Sequence, residues 1–191
     1  MTRLGHGGRI RRAGGLAVAL LFVPILAVVA LGAGGKASLS DARAATAEFH
    51  DFAAAGDAGY TARVADLAGI TCIDSPAGAM GVHYLNPSLI PELVDPNFAG
   101  MPSVNAATPE LLVYEPGSNG KLRLVALEYL TLKASWDATH DSPPSLFGRT
   151  FDSTAAGNRY GLPDFYSLHA WIWKHNPAEI FAPYNTRVTC P

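Results

Sequence analysis

The segment FYSLHAWIWKHNP, residues 165–177, alternates histidine and tryptophan with other residues. Successive side chains of an extended strand point to opposite faces, so the pattern predicts a strand with one aromatic and imidazole-bearing face, formed by His169, Trp171, Trp173 and His175. A strand rises about 3.3 Å per residue, which separates His169 from His175 by roughly 20 Å. These two imidazoles cannot hold one ion on a straight strand. A metal site here therefore needs ligands from other strands.

The N-terminal residues have the layout of an export signal. Several arginines precede an uncharged apolar run from Ala13 to Gly35, and small residues follow. This order is typical of a secretory signal peptide, which we predict over residues 1–37, with cleavage after Ala37 or Ala44. A retained signal anchor is the alternative, and it would be the only contact with a membrane. Residues 38–191 then form a single globular domain that is secreted, periplasmic or associated with the cell envelope.

Charge and cysteine content limit the possible partners. The net charge is −2, and it becomes more negative when the basic leader is removed. This gives no electrostatic basis for binding nucleic acid. The two cysteines, Cys72 and Cys190, form an even pair in a chain with an export signal. We therefore predict a disulfide between them.

The order of predicted elements indicates an α+β domain. An Ala-rich segment at Ala42–Ala55 predicts a helix that ends at Gly56. Gly81–Asn86 predicts a strand, and Leu111–Glu115 and Lys121–Leu132 flank a Pro/Gly/Asn turn, which predicts an antiparallel hairpin. We expect the N-terminal helix to pack on a curved, mainly antiparallel sheet that carries one disulfide.

A carboxylate interrupts an apolar row on the second hairpin strand. Strict alternation places six residues on one face of that strand: Leu122, Leu124, Ala126, Glu128, Leu130 and Leu132. An unpaired buried carboxylate costs several kcal/mol, so Glu128 needs a cation, a metal or hydrogen-bond donors. A salt bridge to Arg149 or Arg187, or a position at the rim of the sheet, is the structural alternative to a functional role.

His83, Glu128 and His169 are each predicted in the middle of a strand, among apolar neighbours. If neighbouring strands bring them together, they form a set of two imidazoles and one carboxylate, with His175 as a possible fourth ligand. Such a set suits a divalent transition metal, Cu, Zn, Fe or Mn. We expect the second nitrogen of each ligating imidazole to donate to a carbonyl or carboxylate. The spacing of these residues is not diagnostic of a metal site by itself.

Aromatic residues beside these positions are candidate walls of a ligand cavity. The candidates are Tyr84, Tyr129, Trp171 and Trp173, although such rings more commonly belong to the core. The sequence contains no GxSxG nucleophile elbow, phosphate-binding loop, dinucleotide fingerprint or CxxCH haem motif. No reaction or catalytic residue is predicted.

Several motifs occur in a fixed order along residues 81–191. They are GVHYLN, LVYEPGSNGKLRLVALEY, PPSLFG, LHAWIWKHNP and the C-terminal Cys190. This set resembles an uncharacterised family of small exported bacterial proteins. The resemblance implies export and a single domain, and it implies no activity and no catalytic residues.

The sequence thus leaves three hypotheses. The first is an exported metal-binding protein with a His/Glu site in an aromatic-lined cavity. The second is a metal-free module that binds a small organic molecule against the same aromatic rings. The third is a structural protein of the cell envelope, in which the histidines are satisfied within the core.

Overall fold

The computed structural model describes residues 37–95 and 97–191. The predicted signal peptide, residues 1–37, lies outside the described residues except for Ala37. Within the described ranges, no helix combines the length and the hydropathy needed to cross a bilayer.

The N-terminal helical region is divided into three short pieces. Helix α1 (Leu39–Thr46) begins with a capping box between Ser38 and Asp41, and a 3-10 turn follows it. Helix α2 (Phe52–Asp57) begins at Asp51, whose backbone is extended and whose side chain accepts from the Ala53 amide. The prediction of one continuous helix over 42–55 was therefore wrong at Asp51. Aspartate is favoured as an N-cap residue, so Asp51 starts a new helix and does not lie inside a continuous one.

The sheet has seven strands, and every pairing within it is antiparallel. Its central strands are β3 (Gly78–Leu85), β4 (Leu111–Pro116), β5 (Leu122–Leu132) and β9 (Phe165–Ala170). The order is β1-β3-β4-β5-β9-β8, and β2 pairs with β3. The predicted α+β class with a mainly antiparallel sheet is confirmed.

Short elements complete the sheet and its connections. The remaining strands are β1 (Ala62–Arg63), β2 (Cys72–Ser75), β6 (Ser145–Leu146), β7 (Arg149–Thr150) and β8 (Asp152–Thr154), of which β6 and β7 pair separately. The connections contain a 3-10 turn and two helices: Pro87–Leu89, α3 (Pro91–Val94) and α4 (Lys133–Asp137).

A β-bulge divides the long hairpin strand β5. The predicted hairpin is present, but its register shifts so that Val113 pairs with Ala126 while Tyr114 pairs with Leu124. Val125 is thus the extra residue. Leu124 packs with the core on the helical side, whereas Val125 and Ala126 both pack on the opposite side. The prediction of one continuous apolar face from Leu122 to Leu132 was wrong, because a bulge reverses the alternation.

The two faces of the sheet carry different cores. Helices α1, α2 and α4 cover one face, where the buried residues include Leu112, Tyr114, Leu127, Tyr129 and Leu168. The other face has a core of Leu111, Leu130, Leu132 and Phe165 with Ile90 from the connection after β3. The short helix α3 with its flanking loops and the C-terminal tail cover this second face. Alternation along β3, β5 and β9 directs His83, Glu128 and His169 to it.

Strand β9 ends at Ala170, earlier than predicted. The Ile172 amide donates to the Ala170 carbonyl, and the amides of Trp173 and Lys174 both donate to Val125. This turn moves Trp173 to the helical face, where it packs against the main core. The prediction that Trp173 and His175 share the face of His169 was wrong, since the two-residue period stops with the strand.

The predicted disulfide between Cys72 and Cys190 is present, with the Cα atoms 5.6 Å apart. Cys72 lies on β2 and pairs with Val82 of β3, so the bond ties the C-terminal tail to the strand beside the one that carries His83. The tail is also held by the Asn185 amide, which donates to the Ala79 carbonyl.

Removal of the disulfide will destabilise the fold. The bond joins residues 118 positions apart, and closing a loop of this length is worth about 5 kcal/mol in the chain-entropy model. We expect Cys72→Ser/Cys190→Ser to lower the free energy of unfolding by about 3–5 kcal/mol in urea titrations at pH 7. A decrease below about 1 kcal/mol contradicts this expectation.

Candidate metal site

Three strands bring His83, Glu128 and His169 together. Glu128 and His169 are direct cross-strand partners on β5 and β9. His83 lies on β3, which β4 separates from β5. Strands spaced about 4.8 Å apart leave the backbones of β3 and β5 about 10 Å apart, a distance that an imidazole and a glutamate side chain together can span. The predicted convergence of these three residues is confirmed.

Donor atoms of the three residues lie close to one another. His83 Nε2 lies 3.4 Å from His169 Nε2 and 3.4 Å from Glu128 Oε2. One ligand atom from each residue lies within 4.8 Å of the other two. Tetrahedral coordination with metal–nitrogen bonds of about 2.0–2.1 Å places neighbouring ligand atoms about 3.3–3.4 Å apart. Good hydrogen bonds of these groups are shorter, about 2.7–3.2 Å. The spacing suits a metal better than mutual hydrogen bonding.

Burial keeps the imidazoles neutral. His83 is 3 % exposed and His169 is 4 % exposed. Burial lowers the pKa of His83 to about 4, against the opposing attraction of Glu128. Burial likewise lowers the pKa of His169 to about 4, opposed by Asp152. Both rings are neutral near pH 7, the form that binds metals. The contacts of these rings with Glu128 are consequently not salt bridges at that pH.

Glu128 is the acidic member of the group. Burial raises the pKa of its carboxyl group, against the attraction of His83 and a hydrogen bond from Ser167. A divalent cation would reverse this effect, because it stabilises the carboxylate form. Among the described residues, Glu128 contacts His83 and His169 and forms no salt bridge with Arg149 or Arg187. Arg149 pairs instead with Glu179 on the surface, with 3.4 Å between Nη2 and Oε1.

The second nitrogens of the imidazoles do not follow the expected pattern. His83 Nδ1 is buried and has no hydrogen-bond partner among the described residues. His169 Nδ1 lies 3.6 Å from Glu128 Oε1, which is longer than a hydrogen bond. Burial lowers the pKa of His83 and a backbone interaction with Gly81 opposes that effect, so the expected carbonyl neighbour is present for this ring, although not in good hydrogen-bond geometry. The hydrogen-bonding capacity of this buried group is therefore incompletely used.

Two cavities meet at the site. One, of about 190 Å³, touches His83 and Glu128 and is otherwise lined mainly by aliphatic side chains. The other, of about 310 Å³, touches Glu128 and His169 and has a polar lining that includes Asp152 and Arg159. We call them the apolar cavity and the polar cavity. A metal held by the three residues can therefore keep coordination positions open to a ligand.

Most of the other predicted site residues lie elsewhere. His175 is exposed and does not belong to the group, because the chain turns away after Ala170. Tyr84 and Tyr129 pack in the core on the helical face. Trp173 contacts His50 and lies beneath the Arg43 guanidinium. Only Trp171 adjoins the site: its ring stacks on His169 with the centroids 6.2 Å apart.

Two residues near the site were not assigned to it from the sequence. Tyr160 lines both cavities and donates a long hydrogen bond to Met80 Sδ. It lies in a loop, where no periodic pattern shows which way a side chain points. Glu110 is buried, and burial raises the pKa of its carboxyl group to about 8. It accepts from the Leu130 amide, and its position directly before β4 gave no signal of burial.

Comparisons with protein-family models, with curated proteins and with solved structures found no match to this chain. The chemistry of the site must be argued from its own residues.

The two buried imidazoles of the site destabilise the metal-free protein in mild acid. The folded pKa values of His83 and His169, about 4, lie below the ordinary value of 6.5. The unfolded chain therefore binds more protons between pH 6.5 and 4.5, and stability falls as the pH falls through that window. The raised pKa values of Glu128 and of Glu110, the latter about 8, act in the opposite direction. In chelator-treated protein we expect each of the two histidines to contribute a loss of about 2–3 kcal/mol across this window, which the two carboxyl groups offset in part.

Variants identify the source of this pH dependence. His83→Gln removes one of the buried imidazoles and should reduce the pH slope of the free energy of unfolding. His175→Gln changes an exposed histidine and should leave the slope unchanged. Equal slopes in the wild type and His83→Gln contradict the assignment.

Proposed function

We propose that this is an exported protein that binds one divalent first-row transition metal through His83, Glu128 and His169. The observation that carries the proposal is the 3.4 Å spacing of His83 Nε2 from both other donors, within a fully buried group. Three polar side chains are held at metal–ligand spacing in a place where their mutual hydrogen bonds are poor. A metal supplies the interaction that would compensate for their burial.

The donor set narrows the choice of metal. Imidazole and carboxylate suit Zn²⁺, Fe²⁺, Mn²⁺ and Cu²⁺, and the spacing fits a tetrahedral arrangement, which Zn²⁺ prefers. Three protein ligands leave at least one position open. At that position a metal can polarise a bound oxygen or bind an exogenous ligand. The proposal covers metal binding and assigns no reaction.

Export is part of the proposal, and three features support it. The disulfide between Cys72 and Cys190 indicates an oxidising environment. The basic and apolar N-terminal sequence is typical of a signal peptide. The ordered motifs resemble those of the small exported bacterial proteins described above.

The alternative of a metal-free module that binds a small molecule against aromatic rings has less support, because most of the candidate rings lie elsewhere. Tyr84, Tyr129 and Trp173, which were candidates for a ligand-binding wall, pack with the helical-face core. A purely structural role leaves the 190 Å³ cavity beside the buried polar group without an explanation.

Metal titration tests the proposal directly. Wild-type protein should bind one Zn²⁺ or Co²⁺ per chain, measured by calorimetry and elemental analysis after dialysis, and bound Co²⁺ should show the intense visible bands of low coordination. We expect His83→Gln and His169→Gln, which approximately preserve side-chain volume, to weaken binding at least a hundredfold. The control is His175→Gln, an exposed histidine that should leave affinity unchanged. Equal affinity in all four proteins would falsify the proposed site.

The mature N-terminus tests export. Cleavage after Ala37 leaves the Ser38–Asp41 capping box intact, whereas cleavage after Ala44 removes most of α1 and the buried Ala42. We therefore expect mass spectrometry of protein from the extracytoplasmic fraction to find a chain that begins at Ser38. A chain that retains Met1 in the membrane fraction favours the signal anchor instead.

A further inference from the structure

The apolar cavity places an apolar space directly against the polar group. Apart from His83, Glu128 and Tyr160, its lining is aliphatic or aromatic and includes Leu85, Ile90, Leu93, Leu111, Leu130 and Phe165. Most of these side chains belong to the core on this face of the sheet. A ligand that enters here meets hydrocarbon along its body and the donor group at its end.

The charge of a loaded site favours an anion at the open position. Two neutral imidazoles and one carboxylate bring a single negative charge to a divalent ion, so the site keeps a net charge of about +1. His83 and Glu128 are almost fully buried, and an uncompensated charge is costly there. An anionic oxygen donor would complete both the coordination and the charge balance. Oxygen anions are suitable ligands for these metals.

The volume limits the apolar part of such a ligand. A cavity of about 150 Å³ lined by aliphatic and aromatic residues is large enough to hold benzene. The apolar cavity, at about 190 Å³, has room for one aromatic ring or a branched chain of similar volume. The larger, polar cavity on the side of His169 lacks this continuous hydrocarbon lining.

We propose that the site takes a small organic monocarboxylate with an apolar body about the size of a benzene ring. The carboxylate joins the metal beside His83 and Glu128, and the apolar body fills the cavity beyond them. This inference rests on the proposed metal site and adds the chemical class of its ligand. It involves binding only and no covalent step.

Binding of four compounds to Zn²⁺-loaded protein, measured by calorimetry, tests the inference. Benzoate has the charge and the ring, acetate lacks the ring, and benzyl alcohol lacks the charge. Octanoate has the charge and a longer, flexible apolar chain in place of the ring. We expect benzoate to bind at least tenfold more tightly than each of the other three, and at least tenfold more tightly to loaded than to metal-free protein.

Two neighbouring positions on α3 provide a matched pair of variants. Leu93 is half-buried and lines the apolar cavity, whereas Val94 is 62 % exposed and does not. Leu93→Trp should reduce benzoate affinity at least tenfold and leave Zn²⁺ affinity unchanged, and Val94→Trp should change neither. If Leu93→Trp does not fold, Val64→Phe reduces the same cavity from another lining position.

The outcomes distinguish a failure of the proposed ligand class from a failure of the proposed metal site. If Zn²⁺ binds but benzoate shows no advantage over acetate, or Leu93→Trp and Val64→Phe leave benzoate binding intact, the ligand class is wrong and the metal site stands. Equal benzoate affinity for loaded and metal-free protein also overturns the inference, since the carboxylate then does not join the metal. If the wild type binds no metal, both proposals fail.

Discussion

The bulge at Val125 determines which side of the sheet carries the polar group. Leu124 faces the helices, and an uninterrupted alternation would place Glu128 on that side as well. One extra residue reverses the alternation, as any one-residue shift in a strand does. Glu128 then points to the loop-covered face, where β9 supplies His169 and β3 supplies His83. The carbonyl of Val125 also accepts from Trp173 and Lys174, so the bulge also holds the turn that ends β9.

The polar group is a local source of instability in the metal-free chain. Three polar side chains are buried with poor mutual hydrogen bonds, and His83 Nδ1 has no partner in the described part of the chain. Unsatisfied buried groups typically cost about 1–3 kcal/mol each. A ligand that binds only the folded state stabilises it, and the gain grows with the logarithm of the ratio of ligand concentration to Kd. The burial of these polar groups destabilises the metal-free protein, and a metal that satisfies them would bind more favourably for that reason.

The sequence could predict what depends on local pattern. The hairpin turn, the apolar strands and the mid-strand positions of His83, Glu128 and His169 follow from two-residue alternation and turn chemistry. The buried carboxylate requires a partner, and that requirement correctly pointed to the histidines. The bulge at Val125 and the end of β9 at Ala170 depend on pairing between distant segments, which alternation does not encode. The predictions for Trp173 and His175 failed for this reason. The position of Tyr160 in the lining of both cavities was not predicted, because Tyr160 lies in a loop.

The disulfide and the polar group belong to the same structural unit. Cys72 pairs with Val82, the residue before His83, and Cys190 ends the tail that crosses this face. The tail accepts hydrogen bonds from Trp171 through the Ile180 and Ala182 carbonyls, and the Trp171 ring stacks on His169. One covalent bond therefore restrains the supports of both imidazoles. Because loops shift more easily than strands, this restraint adds to the strand pairing that positions the three donors on a face covered mainly by loops.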